Sequence, residues 1–176
     1  TRPEDLGAAV VKELLQRTPR LNPDYIDDVI FVCAFPEAEQ GMNIARNICL
    51  LAELPVTVPA MTMNRFCSSG LQSIASATDC IRAGRASVII AGGVENMSMV
   101  PITGNKFMPH PVLLEKTQAY ISTISGAEVL RKRYGISRQE QDEFALESHR
   151  KAIQAQDAGR FKEEIVPLKI KVPVES

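Results

Sequence analysis

At 176 residues and 45% hydrophobic side chains the chain can bury a substantial core, and 20 basic against 21 acidic residues leave a net charge of −1. Basic residues are neither in excess nor interleaved with aromatics, which argues against nucleic acid as a partner. The longest apolar runs, 29–35 and 88–93, are strand-length and far short of a membrane span, and the N-terminus carries no signal-peptide pattern. The four cysteines, Cys33, Cys49, Cys67 and Cys80, include no pair at CxxC spacing, and only His110 and His149 could join them. Neither a metal site nor a disulfide framework is expected, and a reducing, cytoplasmic compartment follows.

In chain order, Thr1-Arg2-Pro3-Glu4 has the spacing of a capping box, and Leu6, Val10, Leu14 and Leu15 recur behind it as one buried helical stripe. Ile26 to Phe35 reads as a strand whose apolar second half lacks alternation, as in a parallel sheet covered on both faces. Gly41 to Leu54 is a second amphipathic helix, closed off before Pro55. Val56 to Met63 is a strand, and an apolar helix leads out through Ile74 to Ala83, stopped by Gly84. Ala86 to Gly93 is a further doubly buried strand. The order α-β-α-β-α-β implies crossovers and a mostly parallel sheet.

From Glu95 to about Ala119 the chain is rich in proline and methionine and reads as an irregular surface excursion. Helices resume over Ser125 to Tyr134, ended by Gly135, and from a second capping box at Ser137-Arg138-Gln139-Glu140 to about Asp157, with Gly159 beyond. Ile165 to Val172 is expected as a weak strand. No internal repeat or low-complexity segment is present.

Cys67, in Asn64-Arg65-Phe66-Cys67-Ser68-Ser69-Gly70, falls where a strand turns into a helix. Unpaired N–H groups and the positive end of the helix dipole favour a thiolate there. Free cysteine is also among the most buried residue types, so the residues alone leave a reactive and a structural reading open. Cys33, Cys49 and Cys80 sit inside apolar runs and are expected in the core. His110 lies in a proline-flanked loop and His149 on a polar helix, both read as surface residues.

The stretch from Asn64 to Gly70 resembles the thiolases, which make or cleave 3-ketoacyl-CoA. Four further stretches agree in order and spacing: Glu39 to Arg46, Ala91 to Ser98, Ile136 to Asp142 and Gly159 to Pro167. The resemblance spans essentially the whole chain and is nearest to the degradative 3-ketoacyl-CoA thiolases, although acetoacetyl-CoA thiolases share the motifs. It implies an α/β, thiolase-like layered fold with a mostly parallel sheet, one half of a duplicated fold, plus an inserted, largely helical loop domain. Residues 1–95 would be the core and 96–176 the loop domain with the return toward the core.

The resemblance further implies an acyltransferase in which Cys67 is the acyl-carrying nucleophile and its backbone N–H an oxyanion donor. Acyl-CoA and CoA would be substrates, with no permanently bound cofactor, and the protein a homodimer or dimer of dimers. Where the family usually has Met-Gly the chain has Thr123-Ile124. Ser122 and Thr123 are therefore candidate acyl-pocket residues, with an ordinary loop as the equal alternative. The family's Asn-Glu-Ala-Phe, Gly-His-Pro and Cys-x-Gly motifs are absent from these residues, so the chain is expected to be a piece of a longer one. An inactive dimerisation module is the alternative, and a ketoacyl synthase the more distant one.

Overall fold

A computed structural model of the chain describes residues 1–170. It divides into two compact units, Thr1–Phe107 with the described residues from Val166 onward, and Met108–Ile165.

The first unit begins with helix α1, Pro3–Arg17. The expected Thr1–Glu4 capping box does not form. Arg2, held extended ahead of proline, occupies the N-cap, which leaves Glu4 one position short of the reach a box requires. Glu4 instead pairs with the Arg2 guanidinium at 2.6 Å. The expected stripe is also displaced. The buried face is Pro3, Glu4, Gly7, Ala8 and Val11, while Val10 and Leu14 are exposed. The cause lies in α2, Ile44–Leu51, which comes so close that a Cβ on Gly7 would stand 2.5 Å from Ile48 Cδ1. Only small residues fit that contact, so Leu6, Val10 and Leu14 line an apolar groove with Phe31 and Ile90, while Leu15 still packs against the core.

Strands β1 (Asp28–Val32), β2 (Ala60–Met63) and β3 (Ile89–Gly93) form a parallel sheet in the order β2-β1-β3. Val32 pairs with Met63 on one side and Gly93 on the other, so all three strands end level. Central β1 is covered on both faces, with Val29 and Ile30 at 0% exposure. Both strands beside it depart from expectation. In β3 only Ile90 is buried and Gly93 is exposed, because among the described residues β3 has a strand on one side only.

β2 is half the expected length because Val56 to Val58 is taken up in a turn. Val58 N–H donates to Pro55 C=O, and the Arg46 guanidinium donates to Val56 C=O at 3.0 Å and Val58 C=O at 2.6 Å. Asn43 caps α2, and its amide donates to Ala60 C=O at 2.8 Å, fixing that helix to the start of β2. The core gathers Val11, Val29, Phe31, Ile44, Ile48 and Val58 between the sheet and α1–α2. Helix α3, Ser69–Arg82, follows β2 and ends at Gly84 in the left-handed region.

The second unit holds α4 (Pro111–Lys116), α5 (Thr123–Tyr134) and α6 (Arg138–Asp157). α4 lies inside the stretch expected to be irregular, started by Pro111, whose missing N–H costs nothing there. α5 ends at Gly135 with φ +66, and Ser137 and Glu140 form the expected reciprocal capping box of α6. Residues 165–170 form no strand; 171 and 172 lie outside the described residues. Among the described residues no helix is long and apolar enough to cross a membrane.

Candidate active site

Because the parallel strands end level, the segments that follow them converge on one edge of the sheet, where α/β folds commonly bind ligands. A cavity of about 460 Å³ opens there. Cys33 to Phe35 come to it from β1, Phe66, Cys67, Ser69 and Gly70 from β2, and Gly93 to Glu95 with Met97 from β3. Its wall is chiefly apolar, with Phe35, Phe66 and Ile102 lining it together with Cys33, Cys67 and Glu95.

Cys67 occupies the middle of a single 3₁₀ turn, Phe66–Ser68, that runs into α3. Of the four cysteines it is the exposed one, Cys33 and Cys49 being buried and Cys80 half-buried. The core expectation therefore holds for Cys33 and Cys49. Cys80 departs from it, because its sulfur faces outward to accept from the Arg85 guanidinium at 3.7 Å.

The turn is held by side chains on every side. Phe66 N–H donates to Asn64 Oδ1 at 2.8 Å, Arg65 N–H to the buried Ser69 Oγ at 2.7 Å, and Ser68 Oγ to Arg65 C=O at 2.9 Å. Ser68 N–H donates to Arg65 C=O and Ser69 N–H to Phe66 C=O, so the backbone donor the turn has left to present beside the thiol is the Cys67 N–H.

A second network braces the far wall. Glu95 Oε2 accepts from Ala34 N–H at 2.6 Å, and Oε1 accepts from Gln40 Nε2 at 2.6 Å. Gln40, fully buried, also donates to Phe35 C=O at 2.9 Å and accepts from Asn96 N–H. The Cys33 thiol, 3.8 Å from Glu95, is pushed up to about 11 by burial first and by that carboxylate second. It stays protonated at neutral pH, which leaves one accessible thiol in the cavity.

His110 is the exposed N-cap of α4 and His149 is exposed on α6, as expected. Ser122 caps α5, accepting from Ser125 N–H at 3.1 Å, and Thr123 is the exposed first residue of that helix. Both belong to the second unit and Cys67 to the first. Among the described residues no cluster of histidine, cysteine or carboxylate could hold a metal ion. Reading the residues alone assigned no role to Asn64, Gln40 or Glu95. An asparagine two positions before an N–H it can cap was the one local signal available.

The chain belongs to the thiolase family: residues 1–175 match the thiolase N-terminal domain. It is 52% identical over 172 residues to a 3-ketoacyl-CoA thiolase of Bacillus subtilis, covering 97% of this chain and 44% of that protein. A 3-ketoacyl-CoA thiolase of Vibrio cholerae is 46% identical over 94% of this chain and 43% of its own length. One from Marinobacter nauticus is 43% identical over 95% of this chain and 43% of its own. The chain thus spans less than half the length of the curated relatives it matches.

Proposed function

We propose that the chain is the nucleophile-bearing part of a CoA-dependent thiolase, with Cys67 carrying the acyl group. The observation that supports this best is one exposed thiol in a braced turn at the mouth of a mainly apolar cavity. In the thiolytic direction the Cys67 thiolate adds to the C3 carbonyl of 3-ketoacyl-CoA. The C2–C3 bond then breaks, C2 leaves with the electron pair and takes a proton, and acetyl-CoA departs from a Cys67 thioester. The thiol of free CoA attacks that thioester, releasing an acyl-CoA two carbons shorter and the cysteine. The exchange between thioesters is nearly neutral in energy, so a thiol nucleophile suits both directions.

The Cys67 backbone N–H contributes one donor that stabilises the tetrahedral oxyanion. The proton-transfer groups are proposed to lie in the part of the protein corresponding to the unmatched length of the relatives. CoA and acyl-CoA are substrates rather than resident cofactors, and the compartment is cytoplasmic. The second unit is proposed to be the loop domain, with residues 1–95 as the core. Within that unit Ser122 and Thr123, at the start of α5, are proposed as substrate-binding residues. Two copies pair through the outer edge of β2, where Met61 is 41% exposed.

The test uses the full-length protein with acetoacetyl-CoA, quenched before CoA is added. An acetyl adduct on the Cys67 peptide, and loss of both adduct and turnover in Cys67→Ala, is the expected result. Turnover by Cys67→Ala, or an adduct on another residue, overturns the reading.

A further inference from the structure

The backbone just before Cys67 is strained, and the side chain that holds it there also ties it to the sheet. Phe66 has φ +46, a left-handed conformation uncommon for an aromatic residue. Such a residue persists only where its surroundings over-determine it. The Asn64 carboxamide does this from both ends. Its oxygen accepts from the strained Phe66 N–H at 2.8 Å, and its nitrogen donates to Ala34 C=O at 2.9 Å, two residues beyond the end of β1. Ala34 is fixed in turn, because its N–H is held by Glu95, which is anchored on the buried Gln40. The Phe66 ring meets Phe35 across the same gap, with centroids 6.0 Å apart.

We propose that Asn64 is a positioning residue for Cys67, an inference that rests on the reading of Cys67 as the nucleophile. The left-handed residue turns the chain sharply between β2 and α3, and that reversal brings the thiol to the cavity mouth. Asn64 contributes no proton and touches no reacting atom. It selects the one backbone state of residue 66 that presents the thiol, and couples that state to the rigid end of the central strand. Without it Phe66 relaxes to negative φ, and the thiol is aimed correctly in only a fraction of molecules. The loss should therefore fall on kcat more than on KM.

The decisive measurement is the rate at which iodoacetamide labels Cys67 in the full-length protein at neutral pH, followed by peptide mapping, with a melting curve for each variant. Asn64→Ala should slow labelling about tenfold, the scale expected for releasing one strained residue, while still melting cooperatively. The same substitution made in Phe66→Gly should slow labelling less than about threefold, because glycine adopts positive φ at no steric cost. Asn64→Ser retains an oxygen that can accept from an N–H two residues on. It should label within about threefold of the parent, and it carries the test if the alanine variant fails to fold. Undiminished labelling in Asn64→Ala, or an equal loss in both backgrounds, overturns the proposal. So does a tenfold loss in Asn64→Ser. The readout needs no thiolase activity: if Cys67 labels faster than Cys33, Cys49 and Cys80 but is indifferent to Asn64, only this inference fails, whereas faster labelling at one of those three sinks the reading beneath it.

Discussion

Replacing Gln40 by methionine keeps the length and flexibility of a fully buried side chain while removing its amide. Three hydrogen bonds go with it, to Phe35 C=O, to the Glu95 carboxylate and from Asn96 N–H. Each is worth about 1 kcal/mol net, and the apolar replacement recovers part of the loss. The expected destabilisation is about 2–3 kcal/mol. Urea denaturation and calorimetry of the full-length protein measure it, and a stability within about 0.5 kcal/mol of the parent refutes the weight given to this network.

Gln40→Glu adds a sign test. It preserves an acceptor for Asn96 N–H but sets a second carboxylate against Glu95, so one of the two must hold its proton to higher pH. A carboxyl whose folded value is raised gives full stability below the unfolded range, about 4.3, and loses it as pH rises through the folded value. The deficit of Gln40→Glu should therefore be larger at neutral pH than at about pH 5. A deficit independent of pH would mean that the two side chains do not face each other.

Cys33 remains a neutral thiol in the fold up to about 11, against 9.0 when unfolded. Stability should therefore fall as pH rises between those values, by roughly 2 kcal/mol relative to Cys33→Ala, and parallel pH profiles would contradict the buried environment. The pairing proposed for β2 predicts that the full-length protein sediments as a dimer at micromolar concentration and that Met61→Asp is monomeric. A monomeric parent, or a dimer indifferent to Met61→Asp, excludes that edge as the interface.

What could be read from the sequence was whatever local chemistry decides. Ser137 and Glu140 start α6 and Gly135 ends α5 as expected, because a cap is completed within a few residues of itself. The unbroken apolar run of β1 announced a strand covered on both faces, and the junction of strand and helix at Cys67 was visible from the residues around it. Local patterns also misled at the Thr1–Glu4 box, where Arg2 takes the N-cap, but the two larger departures depended on partners distant in sequence. The buried face of α1 is chosen by Ile48 pressing on Gly7, and the shortness of β2 by Arg46 reaching over to Val56 and Val58. Neither signal exists within the segment it governs.

The same distinction runs through the candidate site. Cys67 could be picked out because its signal, a thiol at a helix start, is local. What aims it is not: Gln40 and Glu95 are 55 residues apart, and Asn64 acts on a carbonyl 30 residues earlier. Those distances close because three parallel strands stop at one level, which sets Ala34, Asn64 and Glu95 side by side just beyond their ends. The topology that a parallel sheet imposes thus supplies the bracing of the Cys67 turn, and a proposed nucleophile whose signal is local depends on a scaffold that can be read only from the assembled sheet.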